Sequence, residues 1–364
     1  MENLQNPLID VHFRISEKDA KRIKKHLDQF LLNNDFTLSP QFGEGKGIVI
    51  SAGGFKYFTC TYILVANLRE TGCQLPIEVW HYGNELSSEM IATLSAMGVT
   101  CRDMMPLVDD RPHGFLMKPL SILYSHFAEV LMLDADNTCL SNPEYLFYEP
   151  AYIEHGSIFW PDYWKYSNEN QIWDILHVKP LNTPEQESGQ LLINKKRCYQ
   201  ALSLAAYLNI NSGNFYHFMY GDKDTFSIAW HYLDQPYHLI AHAPGACGYT
   251  ADDGSFHGIT MTQHDCSGNI IFMHRNLHKW DITDEKEKVW NVHKLFKTRG
   301  VEKSCSINQY LKGNFIDMHG DVDIAAAPKA IGLLEEQCLA QLKKLRQMPF
   351  YNNELLAHYI LANR

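Results

Sequence analysis

The sequence contains no apolar run that approaches the roughly 20 residues needed to span a bilayer. It begins Met1-Glu2-Asn3-Leu4-Gln5 and lacks the basic stretch followed by apolar residues that is typical of a secretory signal. These two absences predict a cytoplasmic protein without a transmembrane segment, either free or peripheral to a membrane.

The nine cysteines include no Cys-X-X-Cys pair and are scattered from Cys60 to Cys338. A zinc knuckle needs closely spaced pairs, and a disulfide framework is expected in a small secreted chain, so neither is indicated here. Reduced and mostly buried thiols fit a cytosolic protein.

Positive charge is also scarce, because 32 Lys and Arg residues stand against 42 Asp and Glu residues, for a formal net charge of −10 at pH 7. A nucleic-acid-binding surface displaces counterions from phosphates with clustered basic side chains, and no basic stripe occurs along this chain. The 364 residues, 45% of them hydrophobic, are enough to bury a large core. The composition predicts a globular protein that does not bind nucleic acid.

An apolar run ends abruptly in two carboxylates. Val130-Leu131-Met132-Leu133 has no polar interruption and predicts a buried strand, and Asp134 and Asp136 follow it directly. In open α/β sheets, ligands bind outside the carboxyl ends of the strands. Carboxylate oxygens suit Mg²⁺ or Mn²⁺, especially where the cation also binds substrate phosphates. The pattern therefore predicts a metal site at this strand end.

Strands and helices alternate along the chain, which predicts a parallel, doubly wound sheet in an α/β protein. Residues 241–269 are rich in Gly, His, Asp and Thr and are predicted to form loops. Strands are predicted at 47–51, 77–82, 101–104, 130–133, 156–160, 190–194 and 270–274. Helices are predicted at about 16–32, 57–69, 88–97, 119–127, 195–208, 221–230 and 331–361.

Five segments carry a family resemblance: Gly54-Phe55-Lys56-Tyr57, Leu68-Arg69, Leu75-Pro76-Ile77-Glu78, 127–137 and 142–147. In this order they resemble a metal-dependent glycosyltransferase of the nucleotide-diphospho-sugar transferase superfamily, and more narrowly the fungal-type α-mannosyltransferase family. The likeness covers roughly residues 48–280. It implies a GT-A fold, a Rossmann-like mixed sheet flanked by helices, with an N-terminal helical extension over 1–42, the GT-A domain over 43–330 and a C-terminal helical tail over 331–364.

The resemblance implies a bound Mn²⁺ or Mg²⁺ that acts as a Lewis acid for the leaving diphosphate. Asp136 matches the direct metal ligand, and Asp134 matches the carboxylate that contacts the ribose and completes the coordination shell. His274 matches the late histidine ligand. The basic group that meets the diphosphate matches Lys279, with His278 or Arg275 sharing that task.

The same resemblance assigns donor and acceptor contacts. Ser51, Ala52, Gly53 and Tyr57 would face the nucleotide, and Lys118 is a candidate for contact with the base or a phosphate. Glu187 and Gln190 lie in the segment that resembles the sugar-pocket lining, and Asp222-Lys223-Asp224 resembles the acidic element beside it. Trp160, Asp162 and Trp164 are candidates for a platform under an acceptor sugar.

The implied reaction is retaining transfer of a hexose, mannose or glucose, from a GDP- or UDP-linked donor to a glycan, lipid-linked or protein acceptor, with an α-linkage. Glu187, Gln190 and Asp222 are the candidates to stabilise the transition state, and Glu187 is also a candidate nucleophile. Two alternatives stay open: a non-catalytic module that binds a nucleotide sugar or glycan, and a nucleotidyltransferase, for which the Ala52-Gly53-Gly54 turn is short. His274 and His278 lack the glutamate that a zinc protease requires.

Overall fold

The computed structural model describes residues 4–112, 114–297, 299–310 and 313–362. Within these residues the chain forms two sheets, each of seven strands, and helices that cover them. The strands are β1 Lys46–Ser51, β2 Ile77–His81, β3 Val99–Asp103, β4 Glu129–Leu133, β5 Ser157–Lys165, β6 Pro184–Asn194, β7 His238–Leu239, β8 Gly245–Thr250, β9 Phe256–His264, β10 Ile270–His274, β11 Val292–Phe296, β12 Lys303–Tyr310, β13 Gly313–Gly320 and β14 Val322–Ala326. The helices are α1 Glu17–Asn33, α2 Gly54–Glu70, α3 Ser88–Ser95, α4 Gly114–Tyr124, α5 Pro150–His155, α6 Ile172–Leu176, α7 Lys195–Ile210, α8 Ser212–Phe215, α9 Lys223–Tyr232, α10 Lys329–Arg346 and α11 Tyr351–Ala362.

The first sheet has the strand order β3-β2-β1-β4-β6-β5-β7. Strands β3, β2, β1 and β4 are parallel, whereas β6 runs antiparallel to both β4 and β5. The wholly parallel sheet expected from strand–helix alternation is therefore wrong, and the mixed sheet flanked by helices that the GT-A resemblance implied is confirmed. Helical segments at both ends of the chain were also expected, and α1, α10 and α11 supply them.

Helices cover both faces of this sheet, which explains why its central strands are apolar throughout. Because successive side chains on a strand point to opposite faces, Leu131 and Leu133 pack in one core cluster with residues of α2 and α10. Val130 and Met132 pack in the other cluster, with residues of α4, α7 and α9. All four side chains are fully buried.

The second sheet was not predicted. Its order is β12-β13-β9-β8-β11-β14, with β10 paired to the other side of β9. The loop prediction for 241–269 is wrong because β8 and β9 use glycine for close strand contact: a Cβ at Gly248 would lie 1.8 Å from the His257 carbonyl oxygen, and one at Gly258 would lie 2.6 Å from that of Ile316. Glycine, which usually indicates a turn, here permits packing.

Several element boundaries differ from the predicted ones. Helix α4 begins at Gly114, earlier than the predicted start at Pro119, which lies inside the helix. Strand β5, predicted at 156–160, extends through the aromatic segment to Lys165. The C-terminal helix is two helices, α10 and α11. In the described ranges, no helix combines the length and apolar character needed to cross a membrane, and the compartment stays a prediction.

The cysteines are all unpaired thiols. Burial raises the pKa of Cys60 and Cys198 to about 11, which keeps both thiols protonated near neutral pH. A protonated, enclosed thiol is a poor nucleophile and a poor metal ligand.

The second sheet should lose stability in acid. The pKa of His264 and that of His293 are both lowered to about 4, from an ordinary value of 6.5. Burial is the main cause for each ring. The nearby ring of His242 adds to the effect at His264, and the ring of His264 adds to it at His293. Above pH 6.5 both rings are neutral in the folded and unfolded chains, whereas between pH 6.5 and 4 only the unfolded chain takes up the protons. The free energy of unfolding should therefore fall as the pH is lowered through this window, by about 1.4 kcal/mol per pH unit for each ring.

Urea unfolding at a series of pH values measures this effect. His293→Gln keeps a partner for Thr262, whose hydroxyl lies 2.8 Å from the histidine Nε2, and should flatten the pH dependence. His12→Gln, at a side chain that is 77% exposed, should leave it unchanged. Equal slopes for His293→Gln and the parent protein would contradict the assignment.

Candidate active site

Asp134 and Asp136 lie in the turn after β4, the central strand of the first sheet. Hydrogen bonds hold this turn against β6. The Asp134 N–H donates to the Gly189 carbonyl at 2.8 Å, and the Asn137 side-chain amide donates to the same carbonyl at 3.0 Å. The Asp136 side chain is 3% exposed and that of Asp134 is 26% exposed. The turn thus presents one open and one enclosed carboxylate.

The second sheet brings His274 to these carboxylates. The Thr138 N–H donates to the Met273 carbonyl at 3.1 Å, the Met273 N–H donates back at 2.9 Å, and the next contact joins the Arg275 N–H to the Asp136 carbonyl at 2.9 Å. His274 Nε2 consequently lies 3.2 Å from Asp136 Oδ1 and 3.7 Å from Asp134 Oδ2. Two carboxylates and an imidazole nitrogen suit a divalent first-row metal such as Mn²⁺.

Glu187 contacts the other nitrogen of the same ring. Ligand-type atoms of Asp134, Glu187 and His274 all lie within 4.8 Å of one another, and Glu187 Oε1 lies 3.4 Å from His274 Nδ1. Because a carboxylate on one imidazole nitrogen orients the other nitrogen, this contact would let Glu187 hold the ring with Nε2 turned toward Asp134 and Asp136. Burial works to raise the pKa of Glu187, but His274 and nearby lysines lower it to about 2.

Gly189 makes room for this ring. A Cβ at Gly189 would lie 2.4 Å from His274 Nδ1, well inside van der Waals contact. The Gly189 N–H also donates to Glu187 Oε1 at 2.8 Å. Glycine at this position therefore lets His274 and Glu187 meet beside the Asp134 turn.

Lys118 connects Asp134 to Asp222. Its ammonium lies 2.9 Å from Asp134 Oδ1 and 2.9 Å from Asp222 Oδ2, and it donates to the Ser188 carbonyl and hydroxyl at 2.9 Å each. Burial lowers the pKa of Lys118, but the charges of Asp134 and Asp222 outweigh burial and raise it above its ordinary value. Lys118 is therefore a fixed positive charge that neutralises part of the acidic cluster.

Lys279 occupies the other side of the site, where it forms an ion pair with Asp136. Its ammonium also lies 5.9 Å from the centre of the Tyr57 ring. A divalent cation on Asp136 would displace the ammonium and leave it available for a phosphate. A pocket of about 310 Å³ opens beside Lys279, lined by Lys56, Asn276, Leu277, Lys279, Asp281, Ile282, Gly313 and Asn314.

The residues predicted to face the nucleotide lie at the end of β1, the strand next to β4, and in the residues that follow it. The Ser51 hydroxyl donates to that of Ser121 at 2.9 Å, and the Ala52 N–H donates to the Trp80 carbonyl at 2.8 Å. Gly53 precedes the first turn of α2, and Tyr57 in that helix is 40% exposed. Of these four side chains, Tyr57 is the one most open to a ligand.

Lys223 and Asp224, predicted to contact the donor, instead belong to a separate buried cluster. Lys223 Nζ lies 2.9 Å from Asp224 Oδ1 and 3.3 Å from Asp162 Oδ2, and it also pairs with Glu185. Asp224 is fully buried and accepts hydrogen bonds from the Tyr166 hydroxyl and the Tyr220 N–H. The two side chains turn inward because α9 packs against β6, so only Asp222 of this acidic element reaches Lys118.

Three further candidates are fully buried. Gln190 lies beneath the acidic turn, where its side-chain oxygen accepts a hydrogen bond from Asn137 at 3.0 Å. Trp160 is fully buried and donates to the His264 carbonyl at 2.8 Å, so the acceptor platform predicted there is wrong. Arg275 is fully buried with its guanidinium 4.1 Å from the centre of the Trp280 ring, which removes it from the diphosphate.

Sequence reasoning missed the supporting roles of Asn137 and Gly189. Asn137 adjoins the acidic pair, and its position next to two carboxylates was the available signal. Gly189 stands at the start of an apolar stretch, where a glycine in a strand indicates close approach of another group. Neither signal identifies the partner, because the Gly189–His274 contact joins residues on different sheets.

Comparison with known proteins also points to a glycosyltransferase. Residues 45–186 and 177–265 match the model of the family described as "Mannosyltransferase putative". Alpha-1,2-mannosyltransferase MNN24 of Candida albicans is 27% identical over 355 residues, covering 78% of this chain and 50% of the relative. Alpha-1,2-mannosyltransferase MNN21 of the same organism is 31% identical over 290 residues, which cover 63% of this chain and 44% of the relative. The chain thus spans about half the length of these relatives.

Among solved structures, the Mn/GDP form of core-mannan synthase A from Aspergillus fumigatus is similar with a TM-score of 0.39 at 9% identity, over 65% of this chain and 81% of that one. The family match itself extends over more than half of the sequence and includes the Asp134 turn and the Glu187–Asp222 segment. The resemblance inferred from the motifs is therefore confirmed. This chain belongs to the mannosyltransferase family.

Proposed function

We propose that this chain transfers a hexose, with mannose the first candidate, from a nucleotide-diphosphate sugar to an acceptor hydroxyl of a glycan. The observation that carries the proposal is the convergence of Asp134, Asp136 and His274 Nε2 at the carboxyl end of β4. Ligands bind at this edge of an α/β sheet. The named relatives are α-1,2-mannosyltransferases, which supports mannose and an α-linkage.

The side chains fit a divalent cation, Mn²⁺ or Mg²⁺. Asp134, Asp136 and His274 would hold it, and Glu187 would fix the histidine ring. When bound, the cation would stabilise the negative charge that develops on the leaving diphosphate. Lys279, released from Asp136, would contact the same diphosphate from the side of the 310 Å³ pocket.

Retention of the donor's anomeric configuration is part of the proposal. An inverting transferase needs a carboxylate available to deprotonate the acceptor. Asp222 is paired with Lys118 and accepts from the Ser188 hydroxyl at 3.0 Å, while Glu187 contacts His274 and has a pKa lowered to about 2. Both carboxylates are thus held by other side chains of the site, and neither is left free to deprotonate an acceptor hydroxyl. This supports a mechanism in which the departing diphosphate takes the acceptor proton on the same face.

Incubation with Mn²⁺, a panel of GDP- and UDP-linked sugars and mannose oligosaccharides tests the proposal. The expected result is metal-dependent release of free nucleotide from one donor, most strongly GDP-mannose, and a new α-linkage by NMR of the first product. A β-linkage from an α-linked donor would overturn retention. Binding of a donor with no release would favour the non-catalytic module. In a second incubation, with a nucleoside triphosphate and a sugar phosphate, formation of pyrophosphate would favour the nucleotidyltransferase.

A further inference from the structure

Aromatic side chains lie beyond Lys118: the rings of Phe115 and Tyr216 pack together, and Tyr220 directly precedes Gly221, which adjoins Phe115. Phe115 in α4 is 55% exposed and Tyr220 is 48% exposed. Tyr216 is half-buried, with its ring centre 6.1 Å from that of Phe115 and the ring planes at 65°. Single exposed apolar residues are common on protein surfaces, whereas exposed aromatic rings grouped beside a site usually contact a ligand.

The cluster adjoins the charged groups of the site directly. Phe115 precedes Lys118 by three residues in α4, so the two side chains lie on neighbouring positions of one helix face. A Cβ at Gly221 would lie 3.6 Å from the Phe115 ring, and the next residue, Asp222, pairs with Lys118. Burial, and after it the charge of Asp222, raises the pKa of Tyr216, which places that ring within range of the same carboxylate.

Two chains of contacts leave the acidic turn. Asp136 pairs with Lys279, which lines the 310 Å³ pocket. Asp134 pairs with Lys118, which in turn pairs with Asp222. With the diphosphate at Lys279, a sugar extending away from it would pass these carboxylates and reach the aromatic cluster. The position of the cluster is thus suited to the second saccharide of the reaction.

We propose that Phe115, Tyr216 and Tyr220 form the subsite for the acceptor saccharide, a pyranose ring stacked on Phe115. Pyranose rings carry C–H groups on their faces, and these pack well against an aromatic ring. The Phe115 side chain has no polar atom and would therefore contact the sugar by stacking alone. The Tyr220 hydroxyl can form a hydrogen bond with a sugar oxygen. This inference rests on the proposed function, and it supplies the acceptor contacts that Trp160 does not.

The test is saccharide binding to the chain loaded with Mg²⁺ and GDP or UDP, measured by NMR titration with an α-linked mannobiose. Phe115→Ala should weaken saccharide binding about tenfold, the equivalent of one aromatic contact, and leave nucleotide affinity unchanged. Phe115→Trp should retain binding. The matched control is Tyr148→Ala: this ring is 66% exposed and lies 3.9 Å from Lys46 Nζ, at the first residue of β1 and thus at the opposite end of the sheet.

Several results would overturn the subsite: equal saccharide affinity for Phe115→Ala and the parent chain, an equal loss in Tyr148→Ala, absence of saccharide binding by the parent chain, or a parallel loss of nucleotide affinity in Phe115→Ala. Failure of the proposed function has a different signature. In that case no donor in the panel is consumed, although the saccharide still binds and Phe115→Ala still weakens it.

Discussion

Replacing Asp136 with asparagine is expected to abolish metal-dependent nucleotide binding and to lower the transfer rate roughly 1,000-fold, the loss typical of removing one strong electrostatic contact to a transition state. Asp136 Oδ1 lies 3.2 Å from His274 Nε2, so the two side chains would share one cation. An amide oxygen keeps the shape but loses the charge that holds a divalent metal. The neutral side chain also leaves Lys279 without its partner.

Calorimetry with Mn²⁺ and GDP or UDP measures the binding loss, and nucleotide release measures the rate. Asparagine is preferred to alanine because the Asp136 side chain is only 3% exposed and a smaller residue would leave a cavity. Asp252→Asn, in the exposed turn between β8 and β9, is the matched control and should bind as the parent chain does. Unchanged Mn²⁺-dependent affinity in Asp136→Asn would remove Asp136 from the metal site.

Replacing Lys223 with methionine is expected to lower the free energy of unfolding by about 3–5 kcal/mol, as for other buried ion pairs that lose one partner. The Lys223 ammonium contacts Asp162, Glu185 and Asp224 in a cluster closed to water. Burial raises the pKa of Glu185 to about 8 and that of Asp162 to about 6 even with Lys223 present. Without the cation, these carboxyl groups would be protonated or would bear uncompensated charge.

Urea unfolding at several pH values measures this loss. A carboxyl group whose pKa is raised in the folded state stabilises the fold at low pH and loses that effect as the pH rises through the raised value. The deficit of Lys223→Met should therefore shrink as the pH is lowered. Lys179→Met, at an exposed side chain, should change stability by less than about 0.5 kcal/mol. A Lys223→Met loss no larger than that of Lys179→Met would show that the cluster does not need its cation.

The buried cluster also illustrates where sequence reasoning was misled. Asp222-Lys223-Asp224 is a run of three charges, and a charge run ordinarily indicates a solvated face or a ligand site. Asp222 does reach the site through Lys118, whereas its two neighbours turn into the protein. Their direction depends on α9 packing against β6, a long-range contact that no local pattern encodes.

The second sheet was missed for a related reason. Gly245, Gly248 and Gly258 were interpreted as loop residues because glycine favours turns. Each of them instead allows a neighbouring strand or side chain to approach more closely than a Cβ would permit. Periodicity in one segment does not show which other segment lies against it, so a glycine-rich strand and a loop look alike in sequence.

The sequence by itself determined the central strand, the acidic turn after it and the family. These depend on residues 127–137 and 142–147, where apolar burial and the carboxylate pair are local properties of a short stretch. Tertiary structure alone decided which side chains share the site. His274 reaches Asp136 because residues 138–140 pair with 271–273, and Phe115 lies beside Gly221 because α4 places it there. Such contacts join residues far apart in the chain, and their geometry comes from the packing of whole elements rather than from any local pattern.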